Sequence, residues 1–388
     1  MNYLVISPFY PENFQPFAIE LAKKEGVTVL GIGQEPYDQL PEDLRNALTE
    51  YFRVENLENL DEVKRATAFL IYKHGPIDRV ESHNEHWLES DAQLREQFNI
   101  FGAKPSQLKK TKFKSEMKKY FTKAGVPVAP GQVVKSEKDI AKAVKKIGFP
   151  MIAKPDNGVG ASGTFKLMEK ADLEAFKEAW DGNTVYFFEK FINTNTLVTY
   201  DGLVDSKGNV VFETSLVYVH TPLELLLSKK DNAYFIEKEL DPKLVEYGRA
   251  VIKAFGMKER FFHIEFFKDG DDYIALEYNN RMAGGFTVEA YNYAHSIDLF
   301  RGYANVVTGQ EVEERRFPSQ YCLVATRRDT TDYVHTADEI KERYAAHLKA
   351  TKRMPEAFAE LQGNDAYILV TENKEELDQM IAFIGEAK

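Results

Sequence analysis

Two apolar runs near residue 270 constrain this chain more than any other stretch. RFFHIEFFKDG (260–270) and DYIALEYNN (272–280) are rich in aromatic and branched residues and meet at a Gly-Asp-Asp turn. That pattern predicts two neighbouring strands folded back on one another. Side chains along a strand alternate between its faces, so Glu277, Asn279 and Arg281 point the same way. A hairpin then brings Glu265 of HIEFF beside Glu277. Two carboxylates and an amide are hard oxygen donors of the kind that hold Mg²⁺, which keeps waters and substrate phosphates in its remaining positions. Arg281 adds a planar fork suited to a phosphoryl or carboxylate group. One such glutamate alone would read as an ordinary charge on a surface strand. Acid and amide together on one face, amid apolar neighbours and before Ala-Gly-Gly, read as a site.

A second stretch supplies the opposite charge. AKPDNGVGASGTFKL (153–167) has a lysine-proline step and then a run of glycines. It lacks the Gly-Lys-Ser/Thr ending of a P-loop and the G-x-G-x-x-G spacing of a dinucleotide turn. It joins the predicted strands FPMIAKP and GTFKL instead of entering a helix. Lys154 can reach a phosphate as a point charge, while the amides of Gly158, Gly160, Ala161, Ser162 and Gly163 can cover it. Glycines allow both the close backbone approach and the movement of a lid. The plain alternative is a flexible hairpin connection.

The rest of the chain places these stretches. In the first hundred residues, strand signals at 3–7, 27–33 and 77–82 alternate with helix signals through Phe17, Ile19 and Leu21, at 60–73 and at 86–98. Alternation of this kind predicts a parallel α/β sheet. The first strand is followed by SPFYPENF and not by glycines, which excludes a dinucleotide-binding reading. A basic helix at 107–125 and a helix at 136–147 precede the glycine loop. Antiparallel strands follow at 184–192, 196–205 and 209–219, then a helix at 242–255. The last eighty residues read as strand YCLVATRR, helix 337–348, strand AYILVTE and helix 374–387. His83 and His86 in HNEH lack the spacing of a metal motif, His263 and His220 are candidates for substrate contact, and Cys322 reads as core. A net charge of −11 disfavours nucleic acid and anionic membrane as partners, and no run is long enough to span a bilayer. One cysteine and no leader-like N-terminus make a reducing, cytoplasmic setting the default expectation.

Taken in order, these segments resemble the ATP-grasp ligases, in the branch with carboxylate–amine ligases, biotin carboxylase and carbamoyl-phosphate synthetase domains. The resemblance covers about residues 1 to 310. HWLESDAQLREQFNIFGAKP is similar to the end of the family's N-terminal domain, and FKSEMKKYFTKAGVPVAPG to the helix whose early lysine contacts nucleotide phosphate. FPMIAKPDNGVGASGTFKL resembles the lysine strand and glycine lid, YFFEKFI the hinge of the adenine pocket, and IEFF with EYNNRMAGG the metal-ligand pair. The implied fold is mixed α/β and α+β: an N-terminal parallel α/β domain (1–105), an ATP-grasp domain (106–310, lid 126–190) and a C-terminal α+β cap (311–388). The implied cofactors are ATP and Mg²⁺, with Mn²⁺ as a substitute. Glu265, Glu277 and Asn279 would hold the metal. Lys114, in preference to Lys112, would hold phosphate together with Lys154 and the lid. Glu189, Lys190, Phe191 and Ile192 would line the adenine, and Arg281 with Lys154 would serve the transferring group. The implied reaction turns a small carboxylate into an acyl phosphate, which an amine or a thiol then displaces. An amino acid is the favoured substrate and a homodimer the commonest assembly. Bicarbonate phosphorylation, or ATP binding without catalysis, are the rival readings. INTNTLVTYDG departs from the family, with Thr194 and Thr196 where a Gly-x-Glu step is usual, which puts the ribose and substrate contacts in doubt.

Overall fold

A computed structural model describes the chain except for residues 159–161, 195, 229, 313–318, 355–358, 360 and 361. The first sheet is parallel and has the order β3-β2-β1-β4, from β1 (Asn2–Ile6), β2 (Thr28–Gly33), β3 (Glu50–Arg53) and β4 (Arg79–Glu81). Alternation along β1 explains why both faces are covered. Leu4 and Ile6 pack with Val63, Ala66 and Leu70 of the helix Leu60–His74 on one side. Tyr3 and Val5 pack with Phe17, Ala18 and Leu21 of the helix Gln15–Ala22 on the other.

The second sheet is antiparallel, ordered β5-β8-β6-β7, from β5 (Gly131–Val134), β6 (Met151–Pro155), β7 (Phe165–Leu167) and β8 (Tyr186–Lys190). The glycine loop joins β6 to β7, two strands that pair with each other. The third sheet takes β9 (Leu197–Val204), β10 (Val210–Thr214), β11 (Leu216–Tyr218), β12 (Ala233–Ile236), β13 (Arg260–Asp269), β14 (Asp272–Asn279), β15 (Tyr321–Arg327), β16 (Leu348–Arg353) and β17 (Asp365–Thr371). Its order is β14-β13-β9-β11-β12-β15-β17-β16, with β10 also paired to β9. One continuous sheet therefore runs from the 260–280 hairpin to the C-terminal strands.

The helix Pro242–Phe255 backs the hairpin. Gly248 lets it come close: a Cβ there would lie 2.1 Å from Cδ1 of Tyr200 on β9. Phe255 stacks on Tyr278 at 4.2 Å, and Tyr200 on Phe262 at 5.3 Å. Tyr278 lies between Glu277 and Asn279 in sequence. Its burial under this helix fixes which face of β14 is core and turns its two neighbours to the other side.

A buried ion network joins the first sheet to the third. Glu81, at the end of β4, accepts from Arg95 at 3.1 Å and from Arg260, the first residue of β13, at 2.8 Å. Arg260 also donates twice to the Asn280 carbonyl, at 2.8 and 3.1 Å. Burial works to raise the Glu81 carboxyl, but Arg260 and Arg95 outweigh it and hold it at about 2. Glu81→Ala leaves two buried guanidinium groups without their anion, so it is expected to lower stability by about 3–5 kcal/mol. A denaturant titration that shows no shift of midpoint would count against this network.

Several elements differ from the sequence expectation. The basic helix at 107–125 is two helices, Pro105–Lys112 and Lys114–Lys123, broken at Phe113. The run 209–219 is a single line of pairing on β9 interrupted at Ser215, where the Leu216 N–H turns to the Thr199 hydroxyl. The helix expected over 337–348 ends at Arg343, and Leu348–Arg353 is a strand. That strand, LKATKR, is the sheet's edge, where lysine-rich alternation guards unpaired backbone and hides the strand signal. Strands β3, β5 and β12 lie in stretches where the sequence predicts no strand. No described helix is long and apolar enough to cross a membrane.

Candidate active site

The hairpin register pairs Glu265 with Glu277 and His263 with Asn279, with a bulge just after Glu265. Glu265, Glu277, Asn279 and Arg281 therefore line one cavity of about 310 Å³. Its opposite wall comes from β6 and β8 and from the helix Lys114–Lys123, which supply Lys154, Glu189, Lys114 and Lys118.

The helix break at Phe113 is what puts Lys114 there. Asp156, two residues after Lys154, accepts from the Ser115 N–H and the Ser115 hydroxyl, both at 2.8 Å, and its carbonyl accepts from the Lys114 N–H at 2.9 Å. An aspartate just past the end of β6 thus caps the start of the second helix. The same residue ties the position of Lys114 to that of Lys154. Lys114 reaches the Gly158 carbonyl at 2.8 Å and Oε1 of Glu277 at 3.3 Å. Lys112 points elsewhere and pairs with Glu89 at 2.6 Å, outside the cavity.

Glu189 is buried and held from both sides, by Lys118 at 2.7 Å and Lys154 at 2.9 Å. Burial alone would raise its carboxyl; the two lysines outweigh that and hold it at about 2. Burial lowers Lys118, whereas for Lys154 the attraction of Glu189 more than offsets burial and raises it. Lys118 also donates to the Ala275 carbonyl at 3.0 Å, linking this wall to β14. Sequence reasoning misses Lys118, although a signal is present: it lies four residues after Lys114 on the same helix face.

On the hairpin side, His263 bridges two carboxylates, Asp201 at 2.8 Å and Glu265 at 3.3 Å. Burial favours the neutral ring, but Asp201 first and Glu265 second retain the proton and raise it to about 9. Asp201 also accepts from Thr199 at 2.5 Å and Tyr291 at 2.7 Å. Arg281 pairs with Glu85 at 2.7 Å and donates to the Met282 carbonyl at 2.7 Å. Glu85 and Asp201 carry no sequence signal, because each reaches the site only through the assembled fold.

The remaining expected residues divide. Lys190, Phe191 and Ile192 line the cavity, with the Lys190 ammonium turned to the Phe149 carbonyl at 3.0 Å. Gly158 is half-buried, Ser162 and Gly163 are exposed in the turn before β7, and Gly160 and Ala161 lie outside the described residues. Thr194 lines the cavity and donates to the Lys268 carbonyl at 2.8 Å, while Thr196 is exposed and outside it. His83 is buried against Phe17 at 4.1 Å, His86 is exposed, and Cys322 is a buried free thiol. No group of three or more His, Cys, Asp or Glu able to hold a metal occurs among the described residues. Two facing carboxylates and an amide nevertheless suit Mg²⁺ when phosphate oxygens and water complete its shell.

Residues 110–315, more than half of the chain, match the family model described as carbamoyl-phosphate synthase L chain, ATP binding domain. The L-arginine-specific L-amino acid ligase of Bacillus subtilis is 23% identical over 79% of this chain and 75% of its own length. The carbamoyl phosphate synthase large chain of Clostridium acetobutylicum is 24% identical over 49% of this chain and 18% of its own length. Among solved structures, an L-amino acid ligase from Bacillus licheniformis superposes with a TM-score of 0.73 at 16% identity, over 98% of this chain and 95% of the other. The N5-carboxyaminoimidazole synthetase of Staphylococcus aureus gives 0.69 at 17% identity, over 99% and 97%.

Proposed function

The chain belongs to the family of the carbamoyl-phosphate synthase L chain ATP-binding domain and is an ATP-grasp ligase; on that premise we propose that it joins a small carboxylate, most simply an amino acid, to an amine through an acyl phosphate. One observation carries this reading: three lysines from the lid side, Lys114, Lys118 and Lys154, face the paired carboxylates Glu265 and Glu277 across a single cavity. Cations opposite oxygen ligands suit a polyphosphate held with a divalent ion. The similarity to an L-amino acid ligase over most of both chains favours an amino acid.

In this mechanism Lys114 and Lys154 exchange their present carboxylate partners for the β- and γ-phosphates of ATP. Mg²⁺, held by Glu265, Glu277 and Asn279, would neutralise phosphate charge when bound. A carboxylate oxygen of the substrate attacks the γ-phosphorus, ADP leaves, and Arg281 steadies the acyl phosphate. The amine nitrogen then attacks the acyl carbon, the C–O bond to phosphate breaks, and phosphate departs with the electron pair and takes up the proton that the nitrogen loses. Positioning and charge neutralisation supply most of the rate. The amides of Gly158, Ser162 and Gly163 cover the phosphates, and the Lys190–Ile192 backbone holds the adenine.

The test is a screen of purified protein with ATP and Mg²⁺ against pooled carboxylates and amines, reading ADP and phosphate. Phosphate release that needs both a carboxylate and an amine, one phosphate per amide bond, is the expected result. Release stimulated by bicarbonate alone would replace this reading with a carboxylase-like one. ATP binding without turnover in any pool would replace it with a sensor.

A further inference from the structure

The cavity extends beyond its phosphate side. Its floor is the large sheet, where neighbouring strands lie about 4.8 Å apart. In the order β13-β9-β11-β12, β12 stands three steps, about 14 Å, from the strand that carries Glu265. There the walls are Tyr218 of β11, Tyr234 of β12, Glu224 of the short helix Pro222–Ser228, and Asn232 just before β12.

One of these groups is a buried acceptor without a donor, and another is a carboxylate. Asn232 is only 6% exposed; its backbone is bonded to Thr326, yet its side-chain Oδ1 takes no hydrogen bond among the described residues. Leaving a buried amide oxygen unpaired is unfavourable unless a bound molecule supplies the donor. Glu224 uses Oε2 to accept from the Thr221 N–H at 2.8 Å and the Thr221 hydroxyl at 3.1 Å. Burial works to raise its carboxyl, and the Thr221 bonds, with His220 and Lys230 nearby, more than offset this, so it stays an anion. The rings of Tyr218 and Tyr234, 6.5 Å apart, line the same end, and aromatic rings attract cations.

We propose that this end of the cavity, formed by Glu224, Asn232, Tyr218 and Tyr234, receives the cationic side chain of one substrate, a lysine-like ammonium or an arginine-like guanidinium. The inference rests on the ligase reading and narrows it to a basic amino acid. Distance decides which nitrogen is held. A reacting amine must approach the acyl carbon to about 3–3.5 Å, so a nitrogen held at Asn232, at the start of β12 and about 14 Å across the sheet from the Glu265 strand, is a side-chain group and not the nucleophile. Tyr218, on β11 between them, feels the charges of Glu265 and Arg281 and links the two ends.

The experiment compares L-arginine with L-citrulline, and L-lysine with L-norleucine, each added with ATP, Mg²⁺ and a pool of other L-amino acids. Phosphate release should favour the charged member of each pair by about tenfold to a hundredfold in kcat/KM. Glu224→Gln keeps the helix-start bond to Thr221, since glutamine serves in the same capping arrangement, and removes only the charge. It should bring the ratio close to one, mainly by raising KM for the charged member. Asn232→Ala, made independently, should lower the lysine-to-norleucine ratio by about tenfold. Melting curves for both variants show whether each is folded. Equal use of charged and neutral members, or a ratio unchanged in both folded variants, overturns this inference while leaving the ligase reading in place. Turnover confined to carboxylates other than amino acids overturns it too. No turnover with any carboxylate removes both.

Discussion

Glu277→Ala is expected to reduce phosphate release by about a hundredfold to a thousandfold. Glu277 sits opposite Glu265 in the hairpin register and faces the lysine wall, with Lys114 at 3.3 Å. In the proposed mechanism it holds the ion that neutralises the phosphates, and no other carboxylate is paired to Glu265 on β14. The fold should survive. The side chain faces the cavity, while the packing of β14 rests on Tyr278 and Ala275, both fully buried. A melting temperature near that of the parent and a lost rate would together place the defect in the site. A folded variant with near-parent turnover would move the metal elsewhere.

The second large effect separates two neighbouring lysines. Lys114→Ala is expected to lower kcat/KM for ATP by about a hundredfold or more, since a charge-assisted contact to the transferring phosphate is lost inside a water-poor cavity. Lys112→Ala should stay within about twofold, as expected for an ion pair with the exposed Glu89. The contrast depends on the helix break at Phe113 and on the Asp156 cap. Steady-state kinetics of the two variants side by side check it, and equal effects would contradict the geometry.

These residues differ in how far the sequence exposes them. The two strands and their turn are legible, because alternation, a short turn and a one-face cluster on β14 all lie within twenty-odd residues. The bulge after Glu265, which shifts the register so that Glu265 meets Glu277, is not. Lys154 and the β6–β7 loop are legible for the same local reason. The helix break is not: 107–125 has an unbroken helical composition, and the group that caps the break comes from Asp156, some forty residues away. Glu189 is legible but its setting is not. Its two lysine partners lie on different elements, and only the assembled cavity shows that they share one carboxylate. Asp201 behind His263 and Glu85 beside Arg281 are invisible for a related reason. Each is a lone acid in an ordinary stretch, placed by sheet order and by docking of the first sheet against the third. Edge strand β16 shows the opposite failure, in which protective lysines hide a strand, and the sequence predicts no element over 349–353.

The central claim is that ATP activates a carboxylate as an acyl phosphate in this cavity. Hydroxylamine added to the purified protein with ATP, Mg²⁺ and the responding carboxylate intercepts such a species as a hydroxamate, read by its colour with ferric ion. The account predicts hydroxamate formed in step with ADP, dependent on the carboxylate and lost in Glu277→Ala. ATP consumption with no hydroxamate from any carboxylate tested would contradict it.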